Sequence, residues 1–322
     1  MTRNLLVRAF CGALIFASVS LSAQTWPDRP IKWIVPYGPG SMGDNVARLL
    51  AEELRSSLGQ AVVVENRAGA GGNLGSSLVA RASPDGTTFL IAATNNLVVN
   101  QFLYKKLDHD PLSAFVPVTF LVNVPSVLFV HPSTGRNFKE FSATVAEKKG
   151  KLNYGSPGAG TTPHLSMHAL DQLLGGSMTH IPYPGAAQGV LALLSGDLQA
   201  YMGGAGLAVQ HVQAGKVNAI GVSSDKRLTV LPDTPTFAEI GLGTLKASNW
   251  WGLVAPKNTP PQVIQKLNEA VQAALRQPGV LERFDKLGIQ ANPVPASTMS
   301  RQLQEEAAFW KKAVAEAGVT LD

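Results

Sequence analysis

The chain has 322 residues, of which 45% are hydrophobic and 15% are charged, and its formal net charge is +5. This composition predicts folded lobes with sizeable cores and excludes a disordered chain. No cluster of lysine or arginine is interleaved with aromatic residues, so the sequence does not predict a nucleic-acid-binding protein.

The N-terminus has the pattern of a secretory signal peptide. It opens with two arginines and no acidic residue, continues through a mostly apolar stretch and reaches the small-residue ending Leu21-Ser22-Ala23. We therefore interpret residues 1–23 as a cleaved leader and predict that the protein resides in the periplasm. The alternative is an uncleaved anchor, which normally needs a longer apolar stretch. The single cysteine, Cys11, lies in this leader, so the mature chain is predicted to lack disulfide and thiol chemistry.

Short apolar runs then alternate with helical patterns along the chain. Strands are predicted at 31–35, 61–65, 88–92, 152–154, 178–181, 198–202 and 217–222. Helices are predicted around Val46–Leu58, where apolar residues are spaced by three and four, and at about 73–81, 161–174, 186–194 and 208–214. This regular alternation predicts an α/β fold with mostly parallel sheets.

Two stretches interrupt the alternation. Residues 115–130 form a long apolar β-type run broken by Pro117 and Pro125, and residues 248–255 form another such run late in the chain. One strand that leaves a lobe and one that returns would provide a hinge between two lobes.

The C-terminal part is predicted to be helical. Thr259-Pro260-Pro261-Gln262 has the pattern of a capping box with proline at the first helical position. Trp310 lies on the apolar face of the last predicted helix and is interpreted as a core residue. The Trp250-Trp251 pair is also interpreted as core, with an aromatic wall beside a cleft as the alternative.

No catalytic motif is present in the sequence. His164 and His168 share a helical face, but no acidic residue or further histidine flanks them in a recognisable pattern, so no metal site is predicted. The glycine-rich run 69–75 lacks the third glycine of a dinucleotide-binding loop, so no cofactor is predicted. The chain is therefore predicted not to be an enzyme.

Two glycine-rich loops each follow a strand and lead into a helix. The first spans residues 36–41 and the second spans residues 155–161. The first N–H groups of a helix lack internal partners and lie at the positive end of its dipole, so each loop predicts half of a small-anion site. Asp44 is interpreted as a residue of the helix N-terminus rather than a ligand contact.

Short motifs occur in a fixed order over nearly the whole mature chain. They are Trp26-Pro27-Asp28-Arg29-Pro30-Ile31, Val35-Pro36-Tyr37-Gly38-Pro39-Gly40, Ala47-Arg48-Leu49-Leu50, Val63-Val64-Glu65-Asn66-Arg67, Gly69-Ala70-Gly71-Gly72-Asn73, Ala82-Ser83-Pro84-Asp85-Gly86, Leu152-Asn153-Tyr154-Gly155-Ser156, Ile181-Pro182-Tyr183, Ala214-Gly215-Lys216 and Leu231-Pro232-Asp233-Thr234-Pro235-Thr236. This ordered set resembles the tripartite tricarboxylate transporter substrate-binding (Bug) family of periplasmic binding proteins.

The resemblance implies a two-lobed α/β periplasmic binding protein of type II, with a hinge of two crossing strands, that closes like a Venus flytrap. Lobe 1 would comprise residues 24–125 plus 245–322, and lobe 2 residues 126–244. The ligand would be a small carboxylate, delivered to the membrane subunits of a tripartite tricarboxylate transporter, and the protein would be a monomer. Carried over residue by residue, the ligand-binding residues would be Tyr37, Gly40, Ser41, Met42, Thr94, Asn95, Ser156, Gly160, Thr161, His164, Tyr183 and Gly203.

The sequence departs from the family pattern in three places. Ser41 and Met42 replace small residues of the first loop, Pro184 stands where the family often has lysine or arginine, and Gly203 stands where an acidic residue is common. Without that carboxylate, an ammonium group has no obvious counter-charge, so we predict a carboxylate ligand that lacks an amino group. The alternatives are a binding protein that feeds a signalling receptor and an exported hydrolase with His164 as its base.

Overall fold

The structure is a computed structural model that describes residues 26–322, so the predicted leader and Cys11 lie outside the described residues. The strands are β1 (Ile31–Val35), β2 (Val62–Asn66), β3 (Thr88–Ala93), β4 (Phe115–Val124), β5 (Ser126–Val130), β6 (Asn153–Ser156), β7 (Thr179–Pro182), β8 (Ala200–Gly204), β9 (Asn218–Val222), β10 (Asn249–Pro256) and β11 (Gln290–Ala291). The helices are α1 (Met42–Leu58), α2 (Asn73–Ala80), α3 (Asn100–Leu103), α4 (Phe138–Glu147), α5 (Thr162–Leu173), α6 (Ala186–Ser195), α7 (Val209–Gln213), α8 (Pro261–Leu275), α9 (Pro278–Lys286) and α10 (Ala296–Ala317). Shorter turns of 3₁₀ or π helix occupy Ala70–Gly72, Asn95–Val99, Pro132–Thr134 and Ala205–Leu207.

These strands form two sheets. The first has the strand order β11-β4-β10-β3-β1-β2, and the second has the order β7-β6-β8-β5-β9. The strands predicted from short apolar runs are all present, with ends displaced by two residues at most. The prediction of mostly parallel sheets was wrong, because β10 and β4 in the first sheet and β5 in the second pair antiparallel with their neighbours.

The chain crosses between the sheets at two places. β4 belongs to the first sheet and β5 to the second, with only Pro125 between them, and β10 returns to the first sheet after β9. Ser126 fastens the crossing, since its N–H donates to Ser223 Oγ (2.8 Å) and its hydroxyl donates to Ala247 O. Crossing strands were predicted and are confirmed, whereas the lobe limits at residues 125/126 and 244/245 stay predictions.

The apolar periodicity of α1 explains how this helix covers the first sheet. Val46, Leu50 and Leu54 are almost completely buried, and they pack with β1 and α8 into one core. Each such side chain contributes about 1.5–3 kcal/mol by leaving water. Trp310 is 2% exposed in a second core beneath α10, so its interpretation as a core residue is confirmed.

The capping box predicted at the start of α8 is not formed. Thr259 Oγ1 donates back to Pro256 O (2.8 Å), and the N-cap position is Pro260, which has no side-chain cap. The first helical position is Pro261, one residue later than the box with Thr259 as N-cap predicted, and a proline suits this position because its missing N–H would have no helical partner there. Within residues 26–322, no helix is both long enough and apolar enough to span a membrane.

Candidate ligand-binding site

The two predicted loops lie at the carboxyl ends of parallel strands. The first follows β1, and the loops after β2 and β3 leave the same edge of the first sheet. The second follows β6, whose parallel neighbours β7 and β8 end at the same edge of the second sheet. Ligands of α/β proteins bind at such edges because the loops and helix N-termini converge there.

The first glycine-rich loop and the start of α1, residues 36–43, form the first corner of the site. This corner combines a capped helix N-terminus with backbone N–H groups that have no partner. Ser41 is the N-cap of α1, and its hydroxyl accepts the N–H of Asp44 (3.3 Å). Gly40 has a left-handed backbone (φ +78°), and its N–H donates to Asp44 Oδ2 (2.9 Å). Among the described residues, the N–H groups of Met42 and Gly43 have no hydrogen-bond partner. These two donors at the positive end of α1 can bind an anion.

Asp44 holds this corner in shape and is not available to a ligand. It is 3% exposed, and besides Gly40 it accepts hydrogen bonds from Arg48 Nε (2.9 Å) and Asn66 Nδ2 (3.0 Å). Burial alone would raise the pKa of Asp44, but these hydrogen bonds favour the carboxylate and bring its pKa below the ordinary value. The interpretation of Asp44 as a residue of the helix N-terminus is confirmed.

An aromatic wall supports the first corner from behind. The Tyr37 ring meets the Trp251 indole edge to face, with 5.3 Å between centroids. Trp251 also lies directly against Gly43, where an added Cβ would be 2.2 Å from Cζ3 of the indole. Trp251 is 6% exposed, so it is a core residue that also backs the site. Burial raises the pKa of Tyr37, which therefore remains a neutral phenol and donates to Gly71 O (3.3 Å).

Asn95 connects the loops of the first sheet to the second corner of the site, which is the second glycine-rich loop together with the first residue of α5, residues 155–162. Its Oδ1 accepts the N–H of Thr162, the first residue of α5, at 3.3 Å. Its Nδ2 donates to Gly160 O at 3.2 Å. The neighbouring Thr94 is fully buried, and its hydroxyl accepts the N–H of Trp250 in β10. Asn95 thus places an amide oxygen on a helix N-terminus, where a carboxylate oxygen of a ligand would also bind favourably.

The second corner satisfies most of its own donors. Ser156 is completely buried, and its hydroxyl lies 2.9 Å from Gly158 O and 2.8 Å from His180 Nε2. Thr161 Oγ1 donates to Gly158 O (2.8 Å), and Gly160 N–H donates to His164 Nδ1 (3.0 Å). The side chains predicted to contact ligand in this loop are therefore engaged in holding the loop itself.

Two further predicted residues contribute mainly through their backbone. Tyr183 N–H donates to Ser156 O (2.9 Å), and its half-buried ring packs against the core beside β8. Gly203 is buried in β8, and a Cβ there would be 2.5 Å from Leu207 Cδ1. A side chain at position 203 would therefore require the Leu207 side chain to move.

The second corner also contains a stacked histidine pair. The rings of His164 and His180 lie 3.7 Å apart at 13°, and Tyr154 continues the stack 5.1 Å from His180 at 27°. Burial lowers the pKa of His164 to about 3, with His180 and His168 adding to the effect. Burial and His168 lower the pKa of His180 to about 4. Both rings are therefore neutral at physiological pH.

We expect the melting temperature of the protein to fall as the pH is lowered from about 6.5 towards 4. In the unfolded chain, His164 and His180 bind protons near the ordinary pKa of 6.5, whereas in the fold they stay neutral down to about 3 and 4. The unfolded state binds more protons in this window, so acid favours unfolding, and the stabilising contribution is fully present only above about pH 6.5. Calorimetry across this range measures the slope.

A matched pair of variants isolates the histidine contribution to the acid dependence. His180→Phe removes one titrating ring, so its melting temperature should fall less steeply with acid than that of the wild type. His211→Gln, a substitution on the short helix α7, should keep the wild-type slope. Equal slopes for the wild type and His180→Phe would contradict the assignment of a buried neutral imidazole.

Sequence reasoning missed three residues that shape the site. Asn66 fixes the first loop, since its Nδ2 reaches both Asp44 and the carbonyl of Tyr37 (3.0 Å). Asn96 accepts the N–H of Ala93 (2.7 Å) and holds the turn that carries Asn95. His180 contacts Ser156. Only Asn66 had a signal in the sequence, as part of a recognised motif. Among residues 26–322, no group of three or more histidine or acidic side chains could hold a metal ion.

The fold has two sheets flanked by helices and joined by crossing strands, and its loops and helix N-termini meet at the carboxyl ends of the strands. This is the architecture of a periplasmic binding protein. The chain belongs to the tripartite tricarboxylate transporter receptor family, since the family model "Tripartite tricarboxylate transporter family receptor" matches residues 46–319. The resemblance to the Bug family is confirmed by Protein BugT of Bordetella pertussis, which is 34% identical over 327 residues and covers 100% of this chain and 99% of that protein.

Two solved structures with bound carboxylates are similar to this fold. One is the R. palustris protein Rpa4515 with adipate, with a TM-score of 0.81, 29% identity and coverage of 92% of this chain and 99% of that one. The other is MatC (Rpa3494) from Rhodopseudomonas palustris with bound malate, with a TM-score of 0.75, 33% identity and coverage of 90% and 100%.

Proposed function

We propose that this protein is an exported, periplasmic solute-binding protein that closes two lobes over a small carboxylate and delivers it to the membrane subunits of a tripartite tricarboxylate transporter. The lobes are residues 24–125 plus 245–322 and residues 126–244, with the hinge where β4 leads into β5 and where β10 begins. The observation that carries the proposal is the pair of unpartnered N–H groups of Met42 and Gly43 at the N-terminus of α1.

The charge distribution of the site supports an anionic ligand bound by neutral donors. Asp44 is the buried carboxylate of the first corner, and it is already paired with Arg48. The donors left for a ligand are backbone N–H groups, and hydrogen bonds from such groups to a charged acceptor are roughly twice as strong as bonds between neutral groups. Adipate and malate in the two similar structures belong to this ligand class.

The residue at position 203 supports a ligand without an amino group. Gly203 carries no side chain, so this position offers no carboxylate that could pair with an ammonium group. We therefore propose a mono- or dicarboxylate whose remaining body is apolar or hydroxylated, held between the first corner and the N-terminus of α5.

A hydrolase with His164 as base is disfavoured by the geometry. His164 Nδ1 accepts the N–H of Gly160, the ring is 4% exposed, and its pKa of about 3 makes it a weak base. A binding protein that feeds a signalling receptor would use the same site, and the proposal of a transporter partner rests on family membership. Capture of transporter membrane subunits by the loaded protein distinguishes the two.

A thermal-shift screen tests the proposed ligand class. We expect malate or adipate at about 100 times its dissociation constant to add about 2.7 kcal/mol of stability, which raises the melting temperature by roughly 5–10 °C. Adipamide, in which neutral amides replace both carboxylates, is the matched control and should give no shift. A protein that no mono- or dicarboxylate stabilises would contradict the proposed function. A preference for aspartate or glutamate, confirmed by calorimetric titration, would contradict the absence of an amino group.

A further inference from the structure

The loop between β6 and α5, residues 157–161, is fastened at both ends to histidine rings. At its start, Ser156 Oγ lies 2.8 Å from His180 Nε2. Near its end, the N–H of Gly160 donates to His164 Nδ1 at 3.0 Å. Because the two rings stack at 3.7 Å, the two ends of the loop are mechanically coupled through them.

The Ser156 hydroxyl links His180 to the middle of the loop by hydrogen bonds to Gly158. It lies 2.9 Å from Gly158 O, and it accepts the N–H of Gly158 at 3.2 Å. Gly158 O also accepts the hydroxyl of Thr161, the N-cap residue of α5. A chain of hydrogen bonds therefore runs from His180 through Ser156 and Gly158 to the residue that opens α5.

Packing alone does not explain why a histidine, rather than another aromatic residue, occupies position 180. It projects from β7, the edge strand of the second sheet, and its ring is half-buried. Any aromatic ring could stack on His164 and Tyr154 at this position. Phenylalanine, however, would leave the buried Ser156 hydroxyl without its ring-nitrogen partner. The hydrogen bond, rather than the stack alone, is the feature specific to histidine.

We propose that His180 is a positioning residue for the ligand site, which holds Ser156 and thereby fixes the loop that leads into the N-terminus of α5. The proposal rests on the proposed function, because the N-terminus of α5 is taken to bind the ligand. His180 acts through Ser156 and needs no contact with the ligand.

The surroundings of His180 keep this restraint constant over a broad pH range. The titratable groups that face it are His164 and His168 on α5 and Tyr154 on β6, with Asp171 interacting with Tyr154. A proton on His164 Nδ1 would remove the acceptor of the Gly160 N–H. Affinity of the wild type for the fully ionised ligand, after correction for the ligand's own protonation, should therefore be constant from about pH 8 to about pH 5 and fall as the pH approaches 4.

A double-mutant cycle tests the proposal with malate or adipate, whichever stabilises the wild type. His180→Phe keeps an aromatic ring in the stack and loses the bond to Ser156, whereas Ser156→Ala loses the same bond from the other side. We expect His180→Phe to bind the probe about tenfold more weakly and Ser156→Ala at least as weakly, because Ser156→Ala also removes the bonds to Gly158. The double variant should lose no more than Ser156→Ala alone. His180→Gln, whose side-chain amide can reach Ser156, should recover part of the affinity.

The outcomes separate positioning from packing. Unchanged affinity in His180→Phe, or losses in the double variant equal to the product of both single losses, would overturn the proposal. If His180→Phe does not fold, the same cycle is run with His180→Asn in its place. If neither malate nor adipate binds the wild type, another carboxylate that stabilises the protein in the thermal-shift screen serves as the probe. If no mono- or dicarboxylate binds, the proposed function fails separately, and amide hydrogen exchange of the unliganded protein tests the positioning role. Faster exchange at Gly158 and Gly160 in His180→Phe then supports positioning, and unchanged exchange rejects it.

Discussion

Replacement of Gly43 by alanine is expected to destabilise the protein strongly and to abolish tight ligand binding. The added Cβ would lie 2.2 Å from Cζ3 and 2.5 Å from Cε3 of Trp251. The Trp251 indole cannot move away from the added methyl group, because it is 6% exposed and its strand, β10, is hydrogen-bonded between β3 and β4. The start of α1 must therefore shift, and with it the free N–H groups of Met42 and Gly43.

We expect a loss of about 3 kcal/mol from the overpacked contact, which lowers the melting temperature by roughly 6–12 °C. Gly38→Ala is the matched control in the same loop. Gly38 has no atom within 4 Å of an added Cβ and no positive φ, so its variant should unfold within about 2 °C of the wild type. Equal melting curves for Gly43→Ala and the wild type would contradict the close packing of Gly43 against the Trp251 indole.

Replacement of Asn95 by aspartate is expected to give the largest loss of carboxylate affinity without a change of side-chain size. The new carboxylate can still accept the N–H of Thr162, but it cannot donate to Gly160 O. It also places a negative charge beside the proposed anion. At about 5 Å and an effective dielectric constant of about 20, this repulsion costs about 3 kcal/mol, or roughly 100-fold in affinity.

Calorimetric titration with malate or adipate measures this loss, and two variants serve as comparisons. Asn95→Ala removes both hydrogen bonds without adding charge, so it should lose only about tenfold in affinity. Gln304→Glu makes the same change of net charge on an exposed position of α10 and should bind as the wild type does. If Asn95→Asp bound the carboxylate as well as Asn95→Ala does, Asn95 would not lie at the anion position.

Local patterns were sufficient for the elements and for the first half of the site. The three-four spacing of Val46, Leu50 and Leu54 predicted α1. The glycine-rich loop before it predicted an anion site, which stays a prediction, and the structure shows the N–H groups of Met42 and Gly43 without partners there. Asp44 was interpreted correctly for the same reason, because its partners Gly40 and Arg48 are each four residues away. Such contacts depend on backbone periodicity, which the sequence displays directly.

The antiparallel hinge pairing and the short strand β11 were not predictable in the same way. β10 lies between β3 and β4 because the crossing strands return to the first sheet, and that placement depends on the packing of both sheets. The capping box at Thr259 failed because α8 begins one residue later than the motif requires, with Pro260 at the N-cap position, and the threonine hydroxyl donates to Pro256 O instead. A local motif holds only if no competing partner is nearer in the fold.

The sequence by itself determined the α/β elements, the two glycine-rich corners, the resemblance to the receptor family and the absence of a recognisable catalytic motif. Only the tertiary structure decided how the corners are held. Ser156 meets His180 across 24 residues, and Asn95 meets Thr162 across 67. Periodicity specifies which face of an element is apolar, but a hydrogen bond between distant residues depends on how sheets and helices pack. For that reason the sequence predicted Ser156 as a donor to a ligand, whereas the structure shows its hydroxyl committed to the loop.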